Sequence, residues 1–155
     1  MVRLGLIGDT QGRYSVDRLL GFVAKQFQDV DEIWHVGDWQ EERVLEGLRA
    51  LGKPLEVVNG NAPDDPRFPM IVRRHLEGLE LGMVHRPPKP GDAWVEECDI
   101  VIHGHTHRWR DEVAGRTRFI NVATPTASFS QERTLGILTL RAGAAELTRK
   151  VVKLA

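Results

Sequence analysis

Hydrophobic and polar positions along this chain switch between two spacings. Val2 to Ile7 is apolar except at Arg3 and Gly5 and reads as a strand. Ser15 then offers a helix cap, and Val16, Leu19, Leu20, Val23 and Phe27 recur at helical spacing. Ile33 to Val36 is a second apolar run. Glu41 to Leu51 repeats the helical period through Val44, Leu45, Leu48 and Leu51 before Gly52 stops it. Leu55 to Val58 reads as a third strand. Two successive strand–helix–strand units predict right-handed crossovers and a parallel sheet.

The second half is less regular. Asn61 to Pro69 holds three prolines and two aspartates and reads as a surface loop. Ile71 to Leu76 and Leu79 to Val84 flank Glu77-Gly78 and predict a hairpin. A Pro-rich turn over Arg86 to Pro90 leads to a short helix through Trp94 and Val95, then to a strand over Ile100 to Ile102. Trp109 to Val113, Arg116 to Val122, Leu135 to Leu140 and Ala145 to Leu154 follow as antiparallel strands. No repeat or linker interrupts the pattern. One α/β domain over residues 1–155 is expected, its parallel half passing into an antiparallel half.

Five of the apolar runs stop at a side chain able to bind a metal: Asp9, Asp38, Asn61, His85, and the stretch His103-Gly104-His105-Thr106-His107. If the runs are neighbouring strands of one twisted sheet, their carboxyl ends share the edge where open α/β sheets bind ligands. The set mixes anionic oxygen, neutral carbonyl oxygen and imidazole nitrogen. That mixture suits manganese, iron, zinc or nickel better than calcium, and the lack of ligating cysteines argues for a catalytic rather than a structural site. In a tight loop after a strand, His105 and His107 diverge, so the two can serve different ions.

Singly, these residues have plainer uses: Asp9 and Asp38 as turn residues or caps, Asn61 as a turn residue, His103 as a packed side chain. His35 inside its strand reads as structural, and His75 beside Arg73 and Arg74 as exposed. Asn121 ends a strand and fits either a hydrogen bond to the ligand loops or a strand-end turn. Trp39, Trp94 and Trp109 fit either a substrate pocket or, more commonly, core packing. Arg73, Arg74, Arg86 and Lys89 fit either a phosphate-steering patch or a solvated face.

A chain of 155 residues is one domain's worth and can bury a core without staples. The single cysteine, Cys98, forms no internal disulfide, which makes the cytoplasm the default location. Met1-Val2-Arg3 runs straight into the first apolar stretch with no leader-like segment, and no run approaches a membrane span. A formal net charge of −1 gives no overall attraction to nucleic acid.

Gly8-Asp9-Thr10-Gln11-Gly12, Gly37-Asp38, Gly60-Asn61, His85 and Gly104-His105-Thr106-His107 together resemble the ordered motifs of the calcineurin-like metallophosphoesterases, in particular the small single-domain prokaryotic phosphodiesterases. The resemblance spans nearly the whole chain. It implies an α/β sandwich of two mixed β-sheets flanked by helices. It also implies two divalent ions, manganese foremost, with iron, zinc or nickel as alternatives. The first ion would take Asp9, Gln11, Asp38 and His107. The second would take Asp38, Asn61, His85 and His105, with Asp38 bridging.

Two such cations would lower the pKa of a bridging water and neutralise charge on the phosphoryl oxygens, giving hydrolysis of a small-molecule phosphodiester. Asp38 and Asn61 are the residues expected to take part, Asn61 also through its amide hydrogens. The sequence departs from the family twice. Gln11 stands where the family has histidine, and an amide oxygen is the weaker ligand, so single occupancy is the alternative. Ala62 and Pro63 follow Asn61 where the protein-phosphatase branch has a proton-donating histidine; His103, Arg86 or Lys89 would have to assist, and good leaving groups should react best. A non-catalytic protein-interaction module on the same fold, as in the retromer scaffold subunit, is the competing class. A nuclease is a third, although the chain has no room for a capping domain. A homo-oligomer is compatible with either of the first two.

Overall fold

A computed structural model of the protein describes residues 1–126 and 132–154. The elements run β1 (Val2–Ile7), α1 (Val16–Gln26), β2 (Glu32–His35), α2 (Glu42–Arg49), β3 (Leu55–Val57), β4 (Ile71–Leu76), β5 (Leu79–Val84), α3 (Ala93–Glu96), β6 (Ile100–Ile102), β7 (Trp109–Ala114), β8 (Thr117–Val122), β9 (Thr134–Arg141) and β10 (Ala144–Val151). The hydrophobic periods locate each of these to within a residue or three. The Ser15 hydroxyl caps α1 by accepting from the Arg18 amide at 3.3 Å. In the hairpin turn Glu77 and Gly78 both take positive φ, 52° and 80°, as a twist-matched two-residue turn requires.

Two five-stranded sheets stack face to face, in the orders β10-β9-β1-β2-β3 and β4-β5-β6-β8-β7. In the first, β1, β2 and β3 run parallel, and β9 and β10 extend the sheet antiparallel beyond β1. In the second, the β4–β5 and β7–β8 hairpins flank a parallel core of β5, β6 and β8. The runs that end in candidate ligands therefore do not share one sheet: β1, β2 and β3 belong to the first, β5 and β6 to the second. β8 is antiparallel to β7 as expected but parallel to β6, a direction that the three-residue run Ile100 to Ile102 does not mark.

Side chains alternate across each strand. Leu4, Leu6, Trp34, Leu138 and Leu140 of the first sheet meet Leu81, Met83, Ile100, Ile102, Ile120 and Val122 of the second in a core between the sheets. The opposite face of the first sheet, with Ile7, Ile33 and Val57, is covered by Leu19, Val23, Val44, Leu45 and Leu48 of α1 and α2. Val95 and Cys98 cover Val101 and Phe119 on the outer face of the second. Trp39 lies in the helix-side core, edge-on to His35 and Phe68, so core packing is its use. None of the described helices is long and apolar enough to cross a membrane.

The sheets are also clasped by charge. Arg74 of β4 bonds Glu32 at 3.0 Å and Glu56 at 2.9 Å on the opposite sheet, and Glu32 also accepts from Trp34 Nε1. Arg73 pairs with Glu97 at 2.9 Å. Neither arginine is thus available for a phosphate-steering patch with Arg86 and Lys89. His75 is exposed, its Nδ1 2.6 Å from Glu80.

Close packing under α1 is sensitive to single atoms. A Cβ at Gly5 would fall 2.8 Å from the buried Phe27 ring, which backs onto the β1 strand. Gly5→Ala should therefore cost about 1–3 kcal/mol of stability, the usual penalty of overpacking. Urea unfolding checks it; an unchanged midpoint would show that the ring moves freely.

Candidate metal centre

Each candidate ligand follows the carboxyl end of a strand, and three of the ligand loops are bent by backbone that most residues avoid. Asp9, Asp38, His105 and His107 all have positive φ, from 50° to 73°. Such conformations cluster at sites where the fold over-determines them, and Asp and His accept them more readily than most. The glycines beside these residues are needed for clearance. A Cβ on Gly60 would lie 2.3 Å from Asp38 Oδ1, one on Gly104 would lie 2.6 Å from Asp9 Oδ2, and one on Gly37 would lie 2.9 Å from His85 Nδ1. The Gly-Asp, Gly-Asn and Gly-His pairs thus reflect ligand loops pressed against one another.

Asp38 is buried. Its Oδ1 accepts from the Asn61 amide at 2.7 Å and the Ala62 amide at 2.9 Å, leaving Oδ2 3.2 Å from His85 Nε2. Burial raises its pKa, but the His85 ring, when protonated, and the two amides prevail and hold the carboxyl at about 2. Asp9 is fully buried, accepts from the His105 amide at 3.2 Å and lies 3.5 Å from His107 Nε2. The Asp9 contact pushes the His107 pKa up.

Histidine tautomers follow from partners that can act only one way. His85 Nδ1 lies 2.8 Å from the Val36 carbonyl, which can only accept, so in the neutral ring Nδ1 carries the proton and Nε2 presents a lone pair. That lone pair faces the Asp38 carboxylate without meeting hydrogen-bond geometry. Among the described residues, just two buried side-chain polar atoms lack a hydrogen-bond partner: His85 Nε2 and Gln11 Oε1. Buried polar atoms are ordinarily satisfied, and both of these are ligand atoms for a cation. Burial lowers the His85 pKa, but Asp38 and Asp9 outweigh it and draw it upward, a proton there offsetting the same negative field a cation would.

One ligand atom from each of Asp38, His85 and His105 falls within 4.8 Å of the other two, a group able to hold a metal ion. The His85 and His105 rings meet edge to face at 5.2 Å. Asn61 reaches the group by its backbone and, with His85, lines an adjoining cavity of about 270 Å³. The Gln11 backbone carbonyl accepts from Thr126 Oγ1 at 2.7 Å, while Thr124 Oγ1 donates to the Asp9 backbone carbonyl at 2.7 Å. All six predicted groups other than Gln11 therefore sit at the junction of the two sheets, and Gln11 is joined to it through the Asp9 loop.

His35 and His103 support the loops. The Gly37 amide donates to His35 Nδ1 at 3.1 Å, so Nε2–H faces Thr10 Oγ1, and the Thr10 hydroxyl lies 3.2 Å from the Trp39 carbonyl. Burial holds His35 neutral, its pKa pushed down to about 3. His103 Nδ1 donates to the Gly104 carbonyl and Nε2 accepts from Arg110 at 3.0 Å. Its pKa falls to about 4, chiefly through burial. Asn121 Nδ2 donates to the Gly104 carbonyl and Thr106 Oγ1, the first of the two uses expected of it. Thr10, Thr124, Thr126 and the Val36 carbonyl escape sequence reasoning, because no spacing marks a hydroxyl or carbonyl that acts across the chain.

Two outcomes follow. Gly60→Ala should displace the Asp38 carboxylate and lower manganese affinity by roughly tenfold or more, with the far-ultraviolet spectrum preserved; calorimetric titration measures it. His103 stays neutral when folded but takes up a proton near pH 6.5 when unfolded, so its contribution is present above that pH and is lost as pH falls towards 4. Between pH 7 and pH 5 it should remove on the order of 2 kcal/mol of stability. His103→Gln should lose correspondingly less over that interval in urea titrations, and an identical loss would mean that other groups carry the acid sensitivity.

Comparison with known proteins agrees with this geometry. Residues 2–143 match the family model of the calcineurin-like phosphoesterase superfamily domain. A probable metallophosphoesterase of Methanothermobacter thermautotrophicus is 29% identical over 118 residues, covering 68% of this chain; the chain spans 66% of that relative's length, just under two thirds. An archaeal phosphodiesterase structure superposes with a TM-score of 0.72 at 20% identity, covering 96% of this chain and 100% of that one. Vps29 of Entamoeba histolytica, in its zinc complex, gives 0.72 at 17% identity, covering 97% and 99%. At these identities the structures establish the two-sheet fold, and the family model, matched over nearly the full length, establishes membership: the chain belongs to the calcineurin-like phosphoesterase superfamily.

Proposed function

We propose that this protein is a metal-dependent phosphodiesterase, with Asp9, Gln11, Asp38 and His107 holding one divalent ion and Asp38, Asn61, His85 and His105 a second. The observation that carries the reading is the pairing of His85 Nε2 with Asp38 Oδ2 at 3.2 Å, a buried lone pair against a buried carboxylate that a cation reconciles. The orphaned side-chain oxygen of Gln11, Oε1, supports the same residue as a neutral oxygen ligand in place of histidine. Manganese is the favoured ion, since the mixed oxygen and nitrogen set suits it. Bound ions supply Lewis acidity towards the phosphoryl oxygens and a nucleophilic water at neutral pH.

The chain's own residues do the rest. Val36 holds the His85 tautomer that can ligate, and the Asn61 and Ala62 amides hold Asp38 ionised. Asn61, whose side chain makes no hydrogen bond among the described residues, is free to donate its amide hydrogens to a phosphoryl oxygen. His103, neutral and engaged at both ring nitrogens, acts by positioning the Gly104 loop rather than by giving up a proton. With no acid in place, esters of acidic alcohols should react best.

A second reading, a non-catalytic binding module, draws on Gln11. Manganese titration against hydrolysis of bis(4-nitrophenyl) phosphate separates the two. The expected result is metal-dependent turnover whose half-saturating manganese concentration falls severalfold in Gln11→His. No turnover at saturating manganese would favour the binding module, and an unchanged metal requirement in Gln11→His would remove Gln11 from the ligand set.

A further inference from the structure

The cavity that adjoins the candidate ligands is lined by a cation that forms no ion pair among the described residues. Arg86 lines it together with His85 and Asn61. Arg73, Arg74 and Arg67, by contrast, are engaged, with Glu97, with Glu32 and Glu56, and with Asp65 and Glu42 respectively. Arg86 has no carboxylate partner and no side-chain hydrogen bond among the described residues. It follows His85 directly and lies in a bend before Pro87 and Pro88, whose rings narrow the backbone choices of this segment. Its guanidinium is thus presented from a stiff segment, one residue from a candidate ligand.

The rest of the cavity is mixed. Met70, 62% exposed, and Val84 give it an apolar wall, and a methionine thioether is a favourable surface for a flat ring. Asp64, with one oxygen tied to Asn59 Nδ2 at 2.8 Å, offers its other oxygen to a hydroxyl. A volume of about 270 Å³ suits one sugar-sized group. Apolar wall, hydroxyl acceptor and free guanidinium together describe one half of a nucleotide-like molecule.

We propose that this cavity receives the alcohol portion of a phosphodiester that carries a second phosphate, and that Arg86 grips that second phosphate. The assignment rests on the phosphodiesterase reading for the placement of the scissile group at the ligands, and it adds the class of substrate. A guanidinium matches phosphate with two parallel hydrogen bonds, which an ammonium cannot reproduce.

The test compares thymidine 3′,5′-bisphosphate with thymidine 5′-monophosphate. Binding of each to the full chain with manganese is measured by calorimetry, and the 4-nitrophenyl 5′-esters with and without the 3′-phosphate serve as a turnover pair. The bisphosphate should bind roughly tenfold tighter than the monophosphate, and the doubly phosphorylated ester should be preferred in kcat/KM by a similar factor. Arg86→Met should bring both ratios close to one, and Arg86→Lys should keep only part of them. A ratio near one in the unaltered protein, a ratio that survives Arg86→Met, or binding of neither nucleotide overturns the proposal. Discrimination without turnover of either ester would leave it standing and remove the phosphodiesterase reading instead; turnover without discrimination would do the reverse.

Discussion

The hydrogen bond from His85 Nδ1 to the Val36 carbonyl, 2.8 Å long, crosses from one sheet to the other and decides what the junction can do. Because a carbonyl cannot donate, the bond commits the neutral ring's proton to Nδ1 and turns the remaining nitrogen, with its lone pair, towards Asp38. A lone pair facing a carboxylate in a buried setting is unfavourable on its own. The fold nevertheless reinforces the arrangement: two amides pin the carboxylate, and Gly37 leaves the space the ring occupies. A set of polar contacts that all favour an electron-rich pocket makes sense as preparation for a cation.

The same economy runs through the surrounding loops. His35, Thr10 and the Trp39 carbonyl form a short relay of fixed donors and acceptors beneath the Gly37 loop, and Asn121 and His103 brace the Gly104 loop. Thr124 and Thr126 hold the Asp9 loop from the far end of β8. None of these side chains needs to touch a ligand to matter. Each restricts a backbone already in a left-handed conformation, so the ligand loops have few alternatives to fall into.

Much of this was legible in the sequence because it is local. Helix and strand periods, the Ser15 cap and the Glu77-Gly78 turn involve neighbours in the chain, and glycine beside Asp9, Asp38, Asn61 and His105 marks where loops crowd. What could not be read involves distant partners. Nothing in the run Ile100 to Ile102 states that β8 lies parallel beside it. Arg73, Arg74 and Arg86 look alike as a basic patch, yet carboxylates from other elements engage the first two and leave the third. His103 reads as a spare titratable group until Arg110, seven residues on, is found on its second nitrogen.

The division of the ligands between two sheets has a mechanical meaning. Arg74 joins β4 to Glu32, the residue that begins β2, while Asp38 lies just past the end of that same strand. A cation chelated by Asp38, His85 and His105 would therefore rivet the sandwich at the opposite end of β2 from the Arg74 clasp. Ion affinity and sheet cohesion then draw on a common free energy, so a substitution that slackens the packing between the sheets weakens chelation, even from a position remote from every donor atom.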